Sequence, residues 1–164
     1  MIFNGIRMKI IINAAASFLC AVLLVGCGPS KAESLKELKV AGGVVGVKSV
    51  LSSKLNFEII RQVLSAWSGE LGVKGVQIVM DNSNAVNPDI SDSDLDEMYK
   101  RMETNKDANP ELFNAVIELK EVASKIYRLA KDASGYSLLT YSAKALALKE
   151  EFDTKQERFD RHFK

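Results

Sequence analysis

The sequence predicts an all-α fold: a helical bundle of about four helices ending in a long antiparallel helical hairpin. Three observations predict it. An apolar stripe runs on one helical face from Leu112 to Ala133, behind an Asn-Pro start. A second stripe runs from Leu138 to Phe159. Only Ser134-Gly135-Tyr136 and a neighbour on each side part the two, and so short a loop makes consecutive helices antiparallel. The N-terminal part of the bundle is richer in glycine and valine and leaves helix and strand both open.

Taken in order, Glu33 to Ala41 is a weak amphipathic segment with Leu35 and Leu38 on one side. Gly42-Gly43 interrupts it. Val44 to Leu55 carries Val47, Val50, Leu51 and Leu55 at helical spacing, which marks them as its inner face, yet its valine content also suits a strand. Phe57 to Leu71 reads as a buried helix face through Ile60, Val63, Leu64, Trp67 and Leu71, with Asn56 as its cap or with one helix running through from Val44. Gly69, Gly72 and Gly75 then break the pattern. Val76 to Met80 fits a short strand or a helical extension, and Asp81 to Pro88 is a loop by composition.

The second half is more regular. Ser91 with Asp94 has the form of a capping box, and acids crowd the first turn of the helix it opens, where the helix dipole favours them. Leu95, Met98, Tyr99 and Met102 form its inner face. Asn109 caps the next helix, with Pro110 at its first position. Leu112, Leu119, Ile126 and Ala133 repeat at seven-residue intervals, as do Val116, Ala123 and Ala130, with Val122 and Leu129 widening the stripe. Gly135 ends it. Ser137 or Ser134 caps the last helix, whose stripe is Leu138, Tyr141, Ala145, Leu148, Phe152 and Phe159. The hairpin should be roughly 35 Å long.

Composition narrows the function classes. The chain has 164 residues, 47% of them apolar, which suits one folded domain and excludes wholesale disorder. Its 22 basic and 21 acidic residues leave a net charge near +1, without the basic excess of a nucleic-acid binder. Two cysteines exclude a disulfide-rich scaffold and a multi-cysteine zinc site, and one histidine leaves little for metal or triad chemistry.

The first segment is an address. Residues 1–26 contain Arg7 and Lys9 and no acid, and an apolar run from Ile10 to Val25 follows the two bases. A basic start, a short apolar stretch and a small residue at its end make a secretory signal. The run closes on Leu24-Val25-Gly26-Cys27. This resembles the lipobox of bacterial lipoproteins, in which an aliphatic residue, a tolerant position and a small residue precede the modified cysteine. The resemblance covers the signal and the first mature residue only. It implies diacylglycerol on the Cys27 sulfur, cleavage between Gly26 and Cys27, and acylation, as by palmitate, of the new amino terminus. Cys20 is a poor competitor, because Phe18 and Leu19 precede it where a small residue is needed. Met8 is an alternative start that gives a more compact signal. An uncleaved transmembrane helix is the rival reading, but the run is at the lower edge of spanning length and lacks a basic stop-transfer cluster. The expected organisation is therefore a signal over 1–26, a lipidated N-terminus and tether over 27–32, and a helical domain over 33–164. With two or more acyl chains the anchor is effectively permanent. Gly28 stands at the second mature position, where enteric lipoproteins retained in the inner membrane carry Asp. The resemblance thus implies an outer-membrane protein facing the periplasm.

Several motifs have the residue types for chemistry. Gly42 to Ser49 resembles a phosphate loop, but Val47 stands where a glycine should precede the lysine, so no nucleotide is expected and the segment reads as a flexible hinge. Gly42 and Gly46 also match small-residue helix packing. Asp81 to Asp92 fails as a calcium loop, with Ala85 and Val86 at ligand and turn positions. His162 has no second histidine or free thiol to share a metal. Glu150, Glu151 and Asp153 could pair as acids but suit the wet face of a helix. Of Trp67, Tyr99, Tyr127, Tyr136 and Tyr141, most belong in the core. Tyr136 in the hairpin loop and Phe163 beyond the last core position are the candidates for an exposed interaction surface.

No catalytic residue, metal or cofactor is expected, and no nucleic acid. The expected function is that of a membrane-anchored, non-enzymatic lipoprotein that binds another envelope protein, as an assembly accessory, a tethered chaperone, or an exclusion or immunity factor. The alternative is a periplasmic lipoprotein that holds a lipid or small apolar ligand between its helices.

Overall fold

The computed structural model describes residues 28–70, 72–84 and 93–164. The signal, the Leu24 to Cys27 motif, the start at Met8, and Ser91 with its expected capping role lie outside them. Contacts divide the chain into Met1–Ser34, of which residues 28–34 are described, and Leu35–Lys164. Among the described residues the fold is all-α, without strands. Its elements are α1 (Lys31–Ser68), α2 (Gly72–Asn84), α3 (Ser93–Asn105), a 3-10 turn (Lys106–Ala108), α4 (Pro110–Lys131) and α5 (Leu138–Asp160).

Helix α1 opens at a capping box. Glu33 N donates to Ser30 Oγ at 3.2 Å, and Ser30 N donates to Glu33 Oε2 at 2.8 Å. The helix thus begins inside the stretch read as a tether. It then runs unbroken to Ser68 through Gly42-Gly43 and the valine-rich stretch, where an interruption, a hinge or a strand was expected. The face it buries explains this. The inward residues from Leu38 to Asn56 are Leu38, Ala41, Gly42, Val45, Gly46, Ser49, Ser52, Ser53 and Asn56, nearly all of them small. Val47, Leu51 and Leu55, expected inside, point outward, and only Val50 is part-buried. A Cβ on Gly42 would lie 3.2 Å from Val116 Cγ2, and one on Gly46 would overlap the Phe159 ring. The glycines are where α4 and α5 come against α1. Contact at that distance outweighs the helix-propensity cost of glycine, about 1 kcal/mol each.

The buried polar groups of this face are bonded within the helix. Ser49 Oγ donates to Val45 O at 2.8 Å, Ser53 Oγ to Ser49 O at 2.8 Å, and Asn56 Nδ2 to Ser52 O at 2.8 Å. Each side chain turns back onto its own helix, so α1 presents polar residues inward without an unsatisfied donor.

The hairpin forms as its stripes predict. Asn109 Oδ1 accepts from Leu112 N at 3.0 Å, and Pro110 opens α4. Every expected stripe residue of α4 and of the loop after it, from Leu112 to Ala133, is buried. Ser137, not Ser134, caps α5, in a capping box with Thr140. Tyr141, Ala145, Leu148, Phe152 and Phe159 are buried, whereas Leu138, beside the hairpin turn and before the first packed layer, is exposed. Glu118 pairs with Lys155 at 3.0 Å and Arg158 at 2.8 Å, and Lys125 pairs with Glu151 at 2.6 Å, so the two helices run antiparallel. Helix α1 is antiparallel to α5 as well: Gly46 meets Phe159, Phe57 meets Phe152 at 5.8 Å between ring centroids, and Trp67 meets Tyr141 at 5.6 Å. The core is therefore three long helices, with α1 and α4 parallel and α5 opposed to both.

The shorter helices close its sides. Gly72 turns the chain with φ +48°, and α2 adds Val76 and Met80 to the core. It takes in Val76 to Met80, where a short strand or a helical extension was expected, and continues through Asp81–Asn84, expected as loop. There Gln77 Nε2 donates to Asp81 Oδ1 at 2.8 Å and Ser83 Oγ to Met80 O at 2.9 Å, which satisfies the polar groups along the helix. Because α2 is a helix of its own, the described bundle has five helices where about four were expected. Helix α3 buries Leu95 and Met102 and is tied to α1 by the Arg101–Glu37 ion pair.

Gly46→Ala should lose about 1–3 kcal/mol in urea denaturation, because the new methyl displaces the buried Phe159 ring. Gly43→Ala, whose Cβ would meet only the Phe163 ring edge at 3.4 Å, should be neutral or gain up to about 1 kcal/mol in helix propensity. The hydrogen bond from Lys155, with the Arg158 charge, holds the Glu118 carboxyl below the usual glutamate range. Its contribution is present above about pH 4.3 and is lost as pH falls through the lowered value. Glu118→Gln should flatten the acid limb of a Tm–pH curve and cost less than about 1 kcal/mol at pH 7, since the pair is partly solvated.

Candidate functional site

Tyr136 is placed by a chain of local bonds. Asp132 leaves α4 with an extended backbone, and its Oδ1 accepts from Ser134 N at 2.7 Å. Gly135 takes φ +77°, a left-handed conformation that glycine adopts without strain. Ser137 N donates to Thr140 Oγ1 at 2.9 Å, and Thr140 N donates to Ser137 Oγ at 3.2 Å. Between these fixed points the Tyr136 ring stands edge-on to Tyr141, with centroids 5.7 Å apart at 81°. Tyr141 is fully buried, and its hydroxyl donates to Leu129 O at 3.0 Å. That carbonyl lies in the last turn of α4, where helical partners run out. Burial holds the Tyr141 phenol far above the usual tyrosine range. The tyrosine thus works as a strut: it finishes α4 and gives Tyr136 a floor.

Two clefts meet at Tyr136. One, of about 530 Å³, is lined by Lys125, Tyr127, Arg128, Lys131, Asp132 and Lys144 among others. The second, of about 400 Å³, lies between α2 and the hairpin turn and is lined by Trp67, Val73, Val76 and Met80 together with the turn. A third depression, along α4, shares Lys125 and Arg128 with the first and is lined by Tyr99, where the Lys120 ammonium sits 3.7 Å from the ring centroid. The end of the hairpin is thus basic and aromatic on one side and apolar on the other. Tyr136 is exposed where the clefts meet.

The other sequence candidates fall elsewhere. Phe163, 41% exposed, packs its ring on Phe159 at 4.7 Å, at the end of α5 remote in sequence from Tyr136. The two residues read as one possible surface therefore lie beyond opposite ends of the same helix. Gly42 to Ser49 is helix, so it forms neither a phosphate loop nor a hinge. Asp81 and Ser83 belong to α2. Asp153 is held by Lys149 at 2.5 Å and Glu151 by Lys125, so two of the three candidate acids each have a lysine partner. His162 is part-buried in the last turn, with its backbone N donating to Phe159 O at 3.0 Å. Of the aromatics, Tyr141 is core and Trp67, Tyr99 and Tyr127 are part-buried against it. Among the described residues no three His, Cys, Asp or Glu side chains are grouped to hold a metal ion, and no helix is long and apolar enough to cross a membrane. The basic partners of Tyr136 were not found from sequence. Arg128 and Lys144 sit on different helices, and only the antiparallel register brings them together.

Compared with known protein families, curated proteins and solved structures, this chain matches none.

The strut can be separated from the surface. Tyr141→Phe should cost about 1–2 kcal/mol, because the Leu129 carbonyl loses its donor in a dry site. Tyr136→Ala should cost less than about 1 kcal/mol, in keeping with an exposed ring. Paired urea melts would show whether the two differ in this order.

Proposed function

We propose that this protein is a lipid-anchored envelope protein, held by acyl groups on Cys27, whose helical domain acts by binding another protein. The observation that carries the reading is the Leu24-Val25-Gly26-Cys27 sequence at the end of a basic, then apolar, leader. Each residue type has a chemical reason. The cysteine thiol forms a thioether, Gly26 lets a peptidase approach the backbone, and the aliphatic Leu24 ends the apolar stretch. Gly28 at the second mature position favours the outer membrane in a host with two membranes.

The helical domain supports the second half of the reading by what it offers. Its most developed surface is the hairpin end, where Tyr136 stands among Arg128, Lys144 and Trp67. A partner with an acidic rim and an apolar side chain for the Tyr136 cleft fits that chemistry. Rim charges of this kind set orientation and on-rate, while the aromatic contact resists dissociation.

Two measurements test the two halves. Labelled palmitate should enter the chain in cells and be absent from Cys27→Ser, which should also remain at precursor size; label retained by the variant defeats the anchor. A photo-crosslinking residue at Tyr136 should yield a discrete adduct that Arg128→Glu with Lys144→Glu reduces several-fold. A diffuse smear that the charge reversal leaves unchanged defeats the contact surface.

A further inference from the structure

Helix α1 has two apolar faces. The inner one is the small-residue face that meets α4 and α5. The outer one is Val40, Val44, Val47, Leu51 and Leu55, spaced four, three, four and four residues apart and each 48–57% exposed. On a helix this spacing makes one straight ridge, about 22 Å long. Among the described residues nothing covers it fully. Lys36 and Lys54 lie along one border and Lys48 along the other, with Lys39 further round, while no acidic residue occurs from Leu38 to Phe57. The acids beyond its ends are engaged: Glu37 with Arg101, and Glu58 with Arg61 at 2.5 Å.

We infer that this ridge rests on an anionic bilayer surface, with α1 lying along the membrane that holds its own lipid anchor. The inference deepens the proposed function and rests on acylation at Cys27. Three residues, Gly28 to Ser30, separate Cys27 from the first residue of α1, a reach of roughly 10 Å. A helix tethered that closely at its N-terminus is presented to the bilayer at high effective concentration, so a contact too weak to recruit a free protein suffices. The chemistry matches an interfacial helix: aliphatic side chains to enter the headgroup boundary, bordered by lysines whose stems reach back to anionic headgroups. A second copy of the chain fits less well. The ridge is one helix wide, short of the roughly 800 Å² per partner of a stable protein interface.

The test uses the lipidated protein purified from membranes. Its only mature cysteine is the acylated one, so Leu51→Cys adds a single thiol for an environment-sensitive fluorophore. Leu146→Cys on α5 serves as an exposed reference. Both are reconstituted into vesicles of phosphatidylcholine with or without 30% phosphatidylglycerol. In anionic vesicles the label at position 51 should shift to the blue and be quenched by lipids brominated high on the acyl chain, at least three-fold more than the label at 146. Neutral lipid, or Lys36→Glu with Lys39→Glu and Lys54→Glu, should remove most of that difference. A label at 51 that reads water while the protein floats with the vesicles overturns the inference and leaves the anchor standing. A blue shift indifferent to lipid charge, with disulfides forming between different molecules of the unlabelled Leu51→Cys protein under oxidation, overturns it in favour of a second copy. A chain that carries no acyl group and fails to float overturns the anchor and the docking together.

Discussion

Everything else in this bundle depends on how closely α1 can approach the hairpin. At Gly46 the Phe159 ring occupies the space where a side chain would stand, and at Gly42 the Val116 methyl is nearly as near. That approach lets α1 lie against both α4 and α5 and turns a two-helix hairpin into a three-helix core. Dispersion contacts fall off steeply with distance, so small residues at the seam gain more from proximity than larger ones would from their own area. The serines and Asn56 on the same face fit the scheme, because each satisfies its polar atoms on the preceding turn and leaves a nearly flat surface.

That choice has a consequence on the far side of the helix. With most of its inner positions from Ala41 to Ser53 given to glycine, alanine and serine, α1 places Val40, Val44, Val47, Leu51 and Leu55 outside. A soluble domain normally scatters such residues, and a continuous row of five calls for a surface to meet it. The basic borders and the nearness of Cys27 are why we propose the membrane for this row and a protein for the Tyr136 surface. In that proposal one element joins the two roles: α1 follows the proposed tether, and through Trp67 against Tyr141 it supports the hairpin end.

The surface at Tyr136 is rigid for reasons of local chemistry. The Asp132 turn, the left-handed Gly135 and the Ser137–Thr140 box each satisfy backbone groups that a loop would otherwise lend to water. Tyr141 adds a long-range bond, from α5 back to the end of α4. A side chain held this way loses little entropy on binding, which supports the proposed role of Tyr136 as a contact residue.

The sequence by itself determined the hairpin. The seven-residue repeats from Leu112, the Asn109-Pro110 start, Gly135 and the Ser137 cap are local signals, and local signals survive into the fold because one face of a long helix must be buried whatever it meets. It also carries the Leu24-Val25-Gly26-Cys27 sequence on which the proposed lipid anchor rests, and that reading needs no fold. Tertiary structure decided the rest. Which face of α1 turns inward could not be read from apolar spacing, because two faces compete and the less apolar one wins by fitting closer to Phe159 and Val116. Likewise Val76 to Asn84 is helical because Val76 and Met80 complete a core made by other elements. The grouping of Arg128, Lys144 and Tyr136 is a product of register between helices, a quantity that no single segment encodes.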